Sequence, residues 1–209
     1  MRQKQVNKEH YSFDKYICKQ RWMSIWHQLN EVLSLSPSSI LEIGPGPGLF
    51  KAMVAYFGIP IETVDLDPDL HPDHIASATD LPFASNSFDC VCAFQMLEHL
   101  PYDKSLQSFA EMVRVAKAYV IISLPDAKNL WRYVFYVPMI GALEFMVPSL
   151  NPWTKKHKFD GEHYWEINTR GYALKDVIST LTTVGDVRLA KTFRVRDNPY
   201  HRFFLFKKS

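Results

Sequence analysis

The sequence predicts a single α/β domain, in which a mainly parallel sheet of roughly seven strands carries helices on both faces. Two observations support this prediction. Ser38 to Ile43 has the character of a short buried strand, and it enters a helix at Leu49 through a glycine-rich turn, as nucleotide-binding α/β sheets do. Phe88 to Phe94 is a near-continuous apolar run, which a central parallel strand requires.

Length and composition indicate one globular domain. The 209 residues are enough for one full core, and 47% of them are hydrophobic and 22% charged. A net charge of +2 gives no bulk attraction to nucleic acid or to acidic membranes. Cys18, Cys90 and Cys92 form no disulfide or metal pattern and indicate a reducing compartment.

Neither a targeting segment nor a membrane span is predicted. The chain is polar and charged up to Tyr11, unlike a signal peptide. The most apolar run, Leu130 to Leu150, contains two prolines together with Arg132 and Glu144, which argues against a transmembrane helix. We therefore expect a cytoplasmic protein.

Hydrophobic periodicity predicts the remaining elements. Residues 1–10 are expected to be a disordered tail, and residues 11–209 a single domain. A first helix over Tyr11–Leu35 is expected to pack on the sheet or over the ligand. The other expected helices are Leu49–Phe57, Asp103–Lys117 and Tyr172–Thr183, and the other expected strands are Ile61–Leu66, His74–Ala76, Tyr119–Leu124, Asp186–Arg194 and Tyr200–Phe206.

The glycine loop, residues 44–48, is poorly suited to phosphate. Pro45 and Pro47 each remove a backbone N–H, and the loop holds no Lys, Ser or Thr, which excludes a P-loop. The dinucleotide fingerprint requires glycine at the sixth position from Gly44, where this chain has Leu49. A nucleotide that lacks phosphate fits this loop better than NAD or ATP does.

Glu42, just before the loop, points to a cationic ligand. A carboxylate there would repel a pyrophosphate but would suit a positive charge. S-adenosylmethionine has no phosphate and carries both a sulfonium and an ammonium group, so it fits Glu42 and the glycine loop together. The alternative is that the glycines only make a tight turn.

Asp65 ends the second predicted strand, 21 residues after Gly44. A carboxylate at this place and distance grips a ribose diol by accepting both hydroxyl hydrogens. The alternative is a helix N-cap before Asp67-Pro68.

Taken together, these segments resemble the class I S-adenosylmethionine-dependent methyltransferases of the type 11 group. The resemblance covers roughly residues 38–125, and two later segments, Lys158–Ile167 and Asn198–Phe204, resemble a poorly characterised prokaryotic subgroup. The matching pieces are Leu41–Gly48, Val64-Asp65-Leu66, Leu81-Pro82-Phe83, Asn86–Asp89 and Leu97-Glu98-His99-Leu100. The resemblance implies a Rossmann-like fold that ends in an antiparallel hairpin.

The resemblance also implies cofactor roles. Gly44, Gly46 and Gly48 would let the backbone approach the methionine and the ribose. Glu42 would bind the methionine ammonium, Asp65 would bind the ribose diol, and Gln95 would lie near the methionine end. At the adenine, Leu66 would pack on the ring, and Asp80 and Leu81 would lie at its edge. The family often has Gly-Asp-Ala where this chain has Ala76-Ser77-Ala78. The adenine contact therefore passes to Ser77 or to Asp80.

Residues 127–168 form an insertion rich in aromatic residues after the fifth strand. Leu130–Val137 and Ile140–Val147 are expected to form two short amphipathic helices. A connection of this length is usually functional, and its position predicts a lid over the acceptor pocket. The alternatives are an oligomer interface and peripheral contact with lipid headgroups.

The candidate catalytic residues are His163, then Glu162 and His99. Methyl transfer to a hydroxyl benefits from a general base, and histidine titrates in the right range. The alternatives are that His99 only caps or packs, and that Glu162 and Glu166 form lid salt bridges. The spacing of His157, Glu162 and His163 matches no known metal motif, so no metal is predicted.

The sequence thus predicts methyl transfer from S-adenosylmethionine, with S-adenosylhomocysteine as product. The expected acceptor is a small or medium-sized molecule or a glycan- or lipid-linked compound, and it is methylated at oxygen. The rival hypotheses are an N-methyltransferase acting on RNA or protein and a non-catalytic cofactor-binding module. The basic residues of the tail, among them Arg194 and Arg202, are expected on solvated strand faces, so a nucleic-acid partner is not favoured.

Overall fold

The computed structural model describes residues 16–149 and 156–208. The expected disordered tail and residues 11–15 of the expected first helix lie outside these ranges. In chain order the elements are α1 (Lys19–Leu33), β1 (Ile40–Ile43), α2 (Leu49–Tyr56), β2 (Ile61–Asp65), β3 (His74–Ile75), β4 (Phe88–Phe94), α3 (Tyr102–Val115), β5 (Ala116–Pro125), β6 (Leu130–Val137), β7 (Gly141–Pro148), α4 (Leu174–Gly185), β8 (Val187–Arg194) and β9 (His201–Lys208).

Seven strands form one sheet in the order β3-β2-β1-β4-β5-β9-β8. Strand β1 lies parallel between β2 and β4, whereas β9 runs antiparallel to both of its neighbours. The predicted mainly parallel sheet with a terminal antiparallel hairpin is confirmed. The strand order reverses between β1 and β4, so the carboxyl ends of these two strands border the crevice where such sheets bind ligands.

Helices cover both faces of this sheet. On one face of the sheet, Ile25 and Val32 of α1 pack with Phe50 of α2 and with side chains of β1 and β4. On the other face Phe109 of α3 and Leu181 of α4 pack into a second apolar cluster. The buried strands need both layers, because β1 and nearly all of β4 are shielded from water on each side.

The expectation of two short helices in the insertion is wrong. Strands β6 and β7 form an isolated two-stranded antiparallel hairpin, which we call the aromatic hairpin. Aromatic and β-branched residues favour strands, and they dominate β6. The left-handed backbone at Met139 and Gly141 (φ 68° and 93°) closes the turn, which a continuous helical pattern would not allow.

A buried carboxylate connects the insertion to the sheet. Asp126, 1% exposed, accepts a hydrogen bond from Arg202 Nε at 2.7 Å and lies 3.4 Å from Arg194 Nη2. Asn168, at the far end of the insertion, donates to the same carboxylate at 2.7 Å. The expectation that basic residues of the tail lie on solvated faces is therefore wrong for Arg194 and Arg202, whose charges are held inside by Asp126.

We expect Asp126→Asn to lower the free energy of unfolding by about 3–5 kcal/mol, because removing one partner of a buried ion pair leaves the other charges uncompensated. Urea denaturation measures the change. The control is Glu62→Gln, which breaks an exposed pair with His74 and should cost no more than about 1 kcal/mol. Equal losses in the two variants would contradict the role given to Asp126.

Candidate active site

The glycine loop has the backbone that its sequence requires. Gly44, Gly46 and Gly48 all have left-handed φ angles, of 70°, 53° and 75°. Gly48 is also the residue that precedes the first turn of α2. A Cβ on Gly44 would lie 2.6 Å from Cγ of Met96, so the loop passes against the segment that follows β4. Gly44 is thus required both for its conformation and for its lack of a side chain.

Glu42 lies buried beneath this loop as an unsatisfied acid. Its side chain is in strand β1, and its Oε2 atom accepts no hydrogen bond within residues 16–149 and 156–208. Burial raises the pKa of the Glu42 carboxyl to about 8, and the positive charge of Lys51 only partly opposes the effect. A carboxyl in this state is suited to a cationic ligand, which would supply the missing partner.

An open cleft of about 420 Å³ lies over Glu42, and we call it the donor cleft. Of the predicted cofactor residues, only Glu42 and Gly44 line it. The other lining residues come partly from the glycine loop and partly from other segments. They are Tyr16, Arg21, Ser24, Ile25, Gln28, Pro45, Pro47, Leu49, Phe50, Phe94 and His201. The helix α1 therefore covers the ligand side, one of the two positions expected from the sequence.

Tyr16, Arg21 and His201 are among the polar cleft residues that the sequence analysis missed. The Arg21 guanidinium carbon lies 4.2 Å from the centre of the Tyr16 ring. Burial, reinforced by the charges of Arg21 and His163, lowers the pKa of His201 to about 3, so its imidazole is neutral. These residues come from distant parts of the chain, and no local motif marks them.

Asp65 and Leu66 lie at the carboxyl end of β2. Asp65 Oδ1 accepts the backbone N–H of Asp67 at 2.8 Å, and burial raises the pKa of the Asp65 carboxyl. Asp67, rather than Asp65, caps the short 3-10 turn Pro68–Leu70. The alternative considered from the sequence, in which Asp65 is the N-cap, is therefore not seen in the structure. Leu66 is exposed, so its side chain is accessible to a planar ligand.

The three residues expected at the adenine are differently placed. Ser77 Oγ is 2.8 Å from Thr79 Oγ1, and Ser77 forms a single bridge with Asp80, whose side chain is exposed. Leu81 is 3% exposed and packs in the core, while its N–H donates to Glu111 at 2.9 Å. Ser77 and Asp80 thus keep accessible polar groups, and the side chain of Leu81 serves the core.

Gln95 follows β4 directly and has a left-handed backbone, with φ of 52°. Its N–H donates to the carbonyl of Ser123 at 3.0 Å, and its Nε2 donates to Ser123 Oγ at 3.2 Å. Gln95 is therefore anchored to β5 at the carboxyl edge of the sheet.

A second polar group, the histidine cluster, consists of Glu98, His99, His163, Glu166 and Tyr200. His163 Nδ1 lies 2.9 Å from Glu166 Oε1, and the Tyr200 hydroxyl donates to the same oxygen. The rings of His99 and His163 lie 5.0 Å apart. The structure thus brings together His99 and His163, two of the predicted catalytic residues that are far apart in the chain.

Charge and burial set the titration of this cluster. Burial raises the pKa of Glu98 to about 8. Burial and the nearby His163 lower the pKa of His99. For His163, burial opposes the charged form, but the bond to Glu166 and the charge of Glu98 outweigh it and raise the pKa. His163 is therefore the more readily protonated of the two imidazoles.

Glu162 contributes its backbone to the cluster, while its carboxylate points into solvent. The Glu162 carbonyl accepts a hydrogen bond from His99 Nδ1 at 2.9 Å, whereas the Glu162 side chain is exposed. The segment is held in place by Trp165, which is 1% exposed and donates to Ser105 Oγ at 3.0 Å. The buried acid beside the histidines is Glu98, whose only sequence signal is a charge within an apolar segment that follows a strand.

The donor cleft and the histidine cluster adjoin each other. The pKa of Tyr16 is raised chiefly by burial and also by the negative charges of Glu42 and Glu98, so this cleft residue is influenced by both acids. His201 likewise lines the cleft and responds to the charge of His163. A ligand in the cleft would therefore have the cluster as its neighbour.

Residues 41–122, from β1 through most of β5, match the family model described as a methyltransferase domain. This part of the chain is therefore similar to a methyltransferase domain. An uncharacterized methyltransferase from Mycobacterium sp. (strain JLS) is 35% identical to this chain over 91 residues, which cover 38% of this chain and 34% of that protein. The chain thus spans about a third of the length of this relative.

Solved structures share the fold of residues 41–122 and of the elements on either side of them. PH0226 protein from Pyrococcus horikoshii OT3 superposes with a TM-score of 0.61 at 14% identity, over 98% of this chain and 100% of that one. Magnesium protoporphyrin IX methyltransferase from Synechocystis PCC 6803, with bound SAM, gives a TM-score of 0.59 at 10% identity, over 97% of this chain and 90% of that one. These similarities establish the fold alone.

Within residues 16–149 and 156–208, no helix combines the length and the apolar character that crossing a bilayer requires.

We expect Gly44→Ala to disrupt the donor cleft, because its methyl group would collide with Met96 and its backbone would be strained. The unfolding free energy should fall by more than in Gly48→Ala, where φ is also left-handed but nothing lies within 4 Å of the new Cβ. Thermal or urea unfolding measures the difference. Met96→Ala combined with Gly44→Ala should recover part of the loss; no recovery would show that the close contact is not the cause.

Proposed function

We propose that this chain transfers the methyl group of S-adenosylmethionine to the oxygen of a small or medium-sized acceptor. The observation that carries the proposal is the buried Glu42 carboxyl, whose Oε2 atom has no hydrogen-bond partner among the described residues, beneath a glycine loop that has lost two N–H groups to proline. Such a site repels phosphate and accepts a cation. The methyltransferase domain match and the bound SAM in the Synechocystis protein support the same cofactor.

In this proposal the cofactor lies along the carboxyl ends of β1, β2 and β4. Glu42 receives the methionine ammonium, and Gly44, Gly46 and Gly48 let the backbone approach the methionine and ribose. Asp65 accepts from the ribose diol, and the exposed side chain of Leu66 packs on the adenine. Ser77 or Asp80 contacts the adenine edge together with the backbone of Leu81, and Gln95 borders the methionine end.

The acceptor is proposed to enter from the side of the histidine cluster. Methyl transfer is an in-line displacement on an already activated sulfonium, so the protein mainly aligns the acceptor and excludes water. The imidazoles of His99 and His163 are the groups suited to an acceptor hydroxyl, and Glu166 and Tyr200 orient His163. The exposed side chain of Glu162 makes it the weakest of the three catalytic candidates.

The aromatic hairpin is proposed to be a lid over this acceptor side. It leaves the carboxyl edge of the sheet after β5, and its base is attached to the turn between β8 and β9, where Arg132 Nη1 lies 2.8 Å from Asp197. Large apolar side chains along it stay exposed, including Phe135 and, at the tip, Met139 and Ile140. A bound acceptor would cover some of this apolar surface.

Proton release on cofactor binding tests the proposed function directly. In the free protein the Glu42 carboxyl, with its pKa near 8, is protonated at pH 7. An ammonium placed beside it lowers that pKa, so binding should release up to about one proton at pH 7. Calorimetric titration with S-adenosylhomocysteine should therefore be more exothermic in Tris than in phosphate, because Tris binds the released proton with more heat.

The matched variants separate the possible outcomes of this titration. Glu42→Gln should weaken binding by about 10- to 100-fold and abolish the buffer dependence, since a charge-assisted hydrogen bond is lost. Glu31→Gln is the control, because Glu31 is also buried but is already paired with Lys191 at 2.8 Å. Binding without buffer dependence in the unaltered protein would reject the role of Glu42. No binding of either S-adenosylmethionine or its product at millimolar concentration would reject the proposed function.

Hydrogen–deuterium exchange tests the lid. If the aromatic hairpin closes over the site, amides in residues 130–148 should exchange more slowly when S-adenosylhomocysteine and an acceptor are bound, because their backbone is then shielded. The control is the turn between β1 and α2 in the same sample, which should be protected by the cofactor alone. Protection of the hairpin that depends only on protein concentration would indicate an interface between copies. Protection seen only with lipid vesicles would indicate a membrane contact, and either result would contradict the lid.

A further inference from the structure

Three side chains of metal-binding type converge near the end of β4. Each of Glu98, His99 and His163 offers one ligand atom, and these atoms lie within 4.8 Å of one another. Glu98 and His99 belong to the 3-10 turn Leu97–His99, directly after β4, and His163 comes from the end of the insertion. The convergence joins two parts of the chain that are more than 60 residues apart.

Glu98 is the residue that requires explanation. Its side chain is 0% exposed, and neither carboxylate oxygen accepts a hydrogen bond from another residue within 16–149 and 156–208. A buried carboxyl without partners is costly, and it persists where a ligand supplies them. Two other buried acids, Asp126 and Glu31, are by contrast paired with cationic side chains.

Both histidines are oriented as metal ligands are. The Nδ1 atom of His99 lies 2.9 Å from the Glu162 carbonyl, which can only accept, so this nitrogen carries the proton and the lone pair is on Nε2. The Nδ1 atom of His163 lies 2.9 Å from the Glu166 carboxylate. Metal-binding histidines almost always donate their other ring N–H to a carbonyl or a carboxylate, which fixes the tautomer and the ring orientation.

We propose that Glu98, His99 and His163 bind a divalent transition-metal ion of the kind that accepts two imidazoles and one carboxylate, with Zn²⁺ as the representative. This ligand set is typical of open zinc and non-haem iron sites, in which three protein ligands leave a position for another molecule. Glu166, with the Tyr200 hydroxyl bound to it, is the outer partner that holds His163.

A neighbouring combination, Asp160 with His163 and Glu166, is a weaker candidate for the same ion. Asp160 Oδ1 already accepts the backbone N–H groups of Glu162 and His163, at 3.0 and 2.8 Å. Glu166 Oε1 is engaged by His163 and Tyr200. Both carboxylates are thus committed to shaping the segment, whereas the oxygens of Glu98 are not.

With the ion bound, the histidine cluster would activate the acceptor hydroxyl, and this step rests on the proposed function. Glu98, His99 and His163 would hold the ion beside the donor cleft, where it would supply the Lewis-acid chemistry that lowers the pKa of an acceptor hydroxyl, and the hydroxyl proton would leave to water. The acceptor oxygen would form the new bond to the methyl carbon as the bond from that carbon to sulfur breaks, with its electron pair remaining on sulfur. His99 and His163 act here as ligands and not as bases.

Metal titration of the full chain tests the proposal without cofactor or acceptor. The chelator-treated protein carries Cys18→Ser, because that exposed thiol could bind zinc by itself. Calorimetry with Zn²⁺ should give one site per chain, and Co²⁺ at the same site should give visible absorption bands. Glu98→Gln and His163→Gln should each weaken binding by at least about 100-fold, and Glu166→Gln by about 10- to 100-fold, since it acts through His163.

His74→Gln is the matched control. His74 Nε2 also faces a carboxylate, Glu62, at 2.6 Å, but this exposed pair lacks a buried third ligand. Its replacement should leave the affinity for Zn²⁺ unchanged. Circular dichroism of each variant establishes that the fold is retained, and Glu98→Gln is expected to fold because it removes an unpaired buried acid.

The outcomes separate this proposal from the proposed function. Equal Zn²⁺ affinity in the parent and in Glu98→Gln, or no binding up to millimolar Zn²⁺, would overturn the metal site while leaving cofactor binding untouched. Specific metal binding in a chain that does not bind S-adenosylhomocysteine would support the site and reject the methyltransferase proposal. Methyl transfer that survives complete chelation would overturn the activating role of the ion.

Discussion

The buried charge of Asp126 determines how the second half of this protein meets the first. Its two arginines come from β8 and β9, and its asparagine partner comes from the end of the insertion. Directly beside it, the Ile167 N–H donates to the Pro125 carbonyl at 3.0 Å. The chain is therefore returned to the carboxyl edge of β5 after a 40-residue excursion. Without that return, His163 would have no fixed position relative to His99, and the acceptor side would not exist.

Glu42 and Glu98 are two further buried acids, and both belong to the candidate site. Glu42 lies in β1, and Glu98 directly follows β4, the adjacent strand. Burial raises the pKa of each to about 8, and within the described parts of the chain each leaves oxygen atoms without a hydrogen-bond partner. Asp126 is equally buried but is neutralised by arginines. On this contrast rests our proposal that Glu42 and Glu98 bind ligands on the donor side and the acceptor side, whereas Asp126 stabilises the fold.

The fold was predictable, and cofactor residues could be proposed, because their signals are local. The glycine turn, the apolar run of β4 and the acid after β2 each lie within about ten consecutive residues. The aromatic hairpin was predicted as two helices because short apolar runs fit both periodicities, and its pairing depends on the turn at Met139 and Gly141. The burial of Arg194 and Arg202 was missed because their partner, Asp126, lies more than 60 residues away.

The acceptor chemistry cannot be inherited from the family match. The matched region ends at residue 122, so it contains Glu98 and His99 but not His163, Glu166 or Tyr200. The three outer residues depend on the insertion and on the strand pair at the end of the chain, the parts that differ most in length and composition among proteins of one fold. Relatives that share the donor cleft can therefore differ in the group that faces the acceptor. In this chain that group is a buried acid with two oriented imidazoles, an arrangement whose charge and geometry favour a cation over a free base.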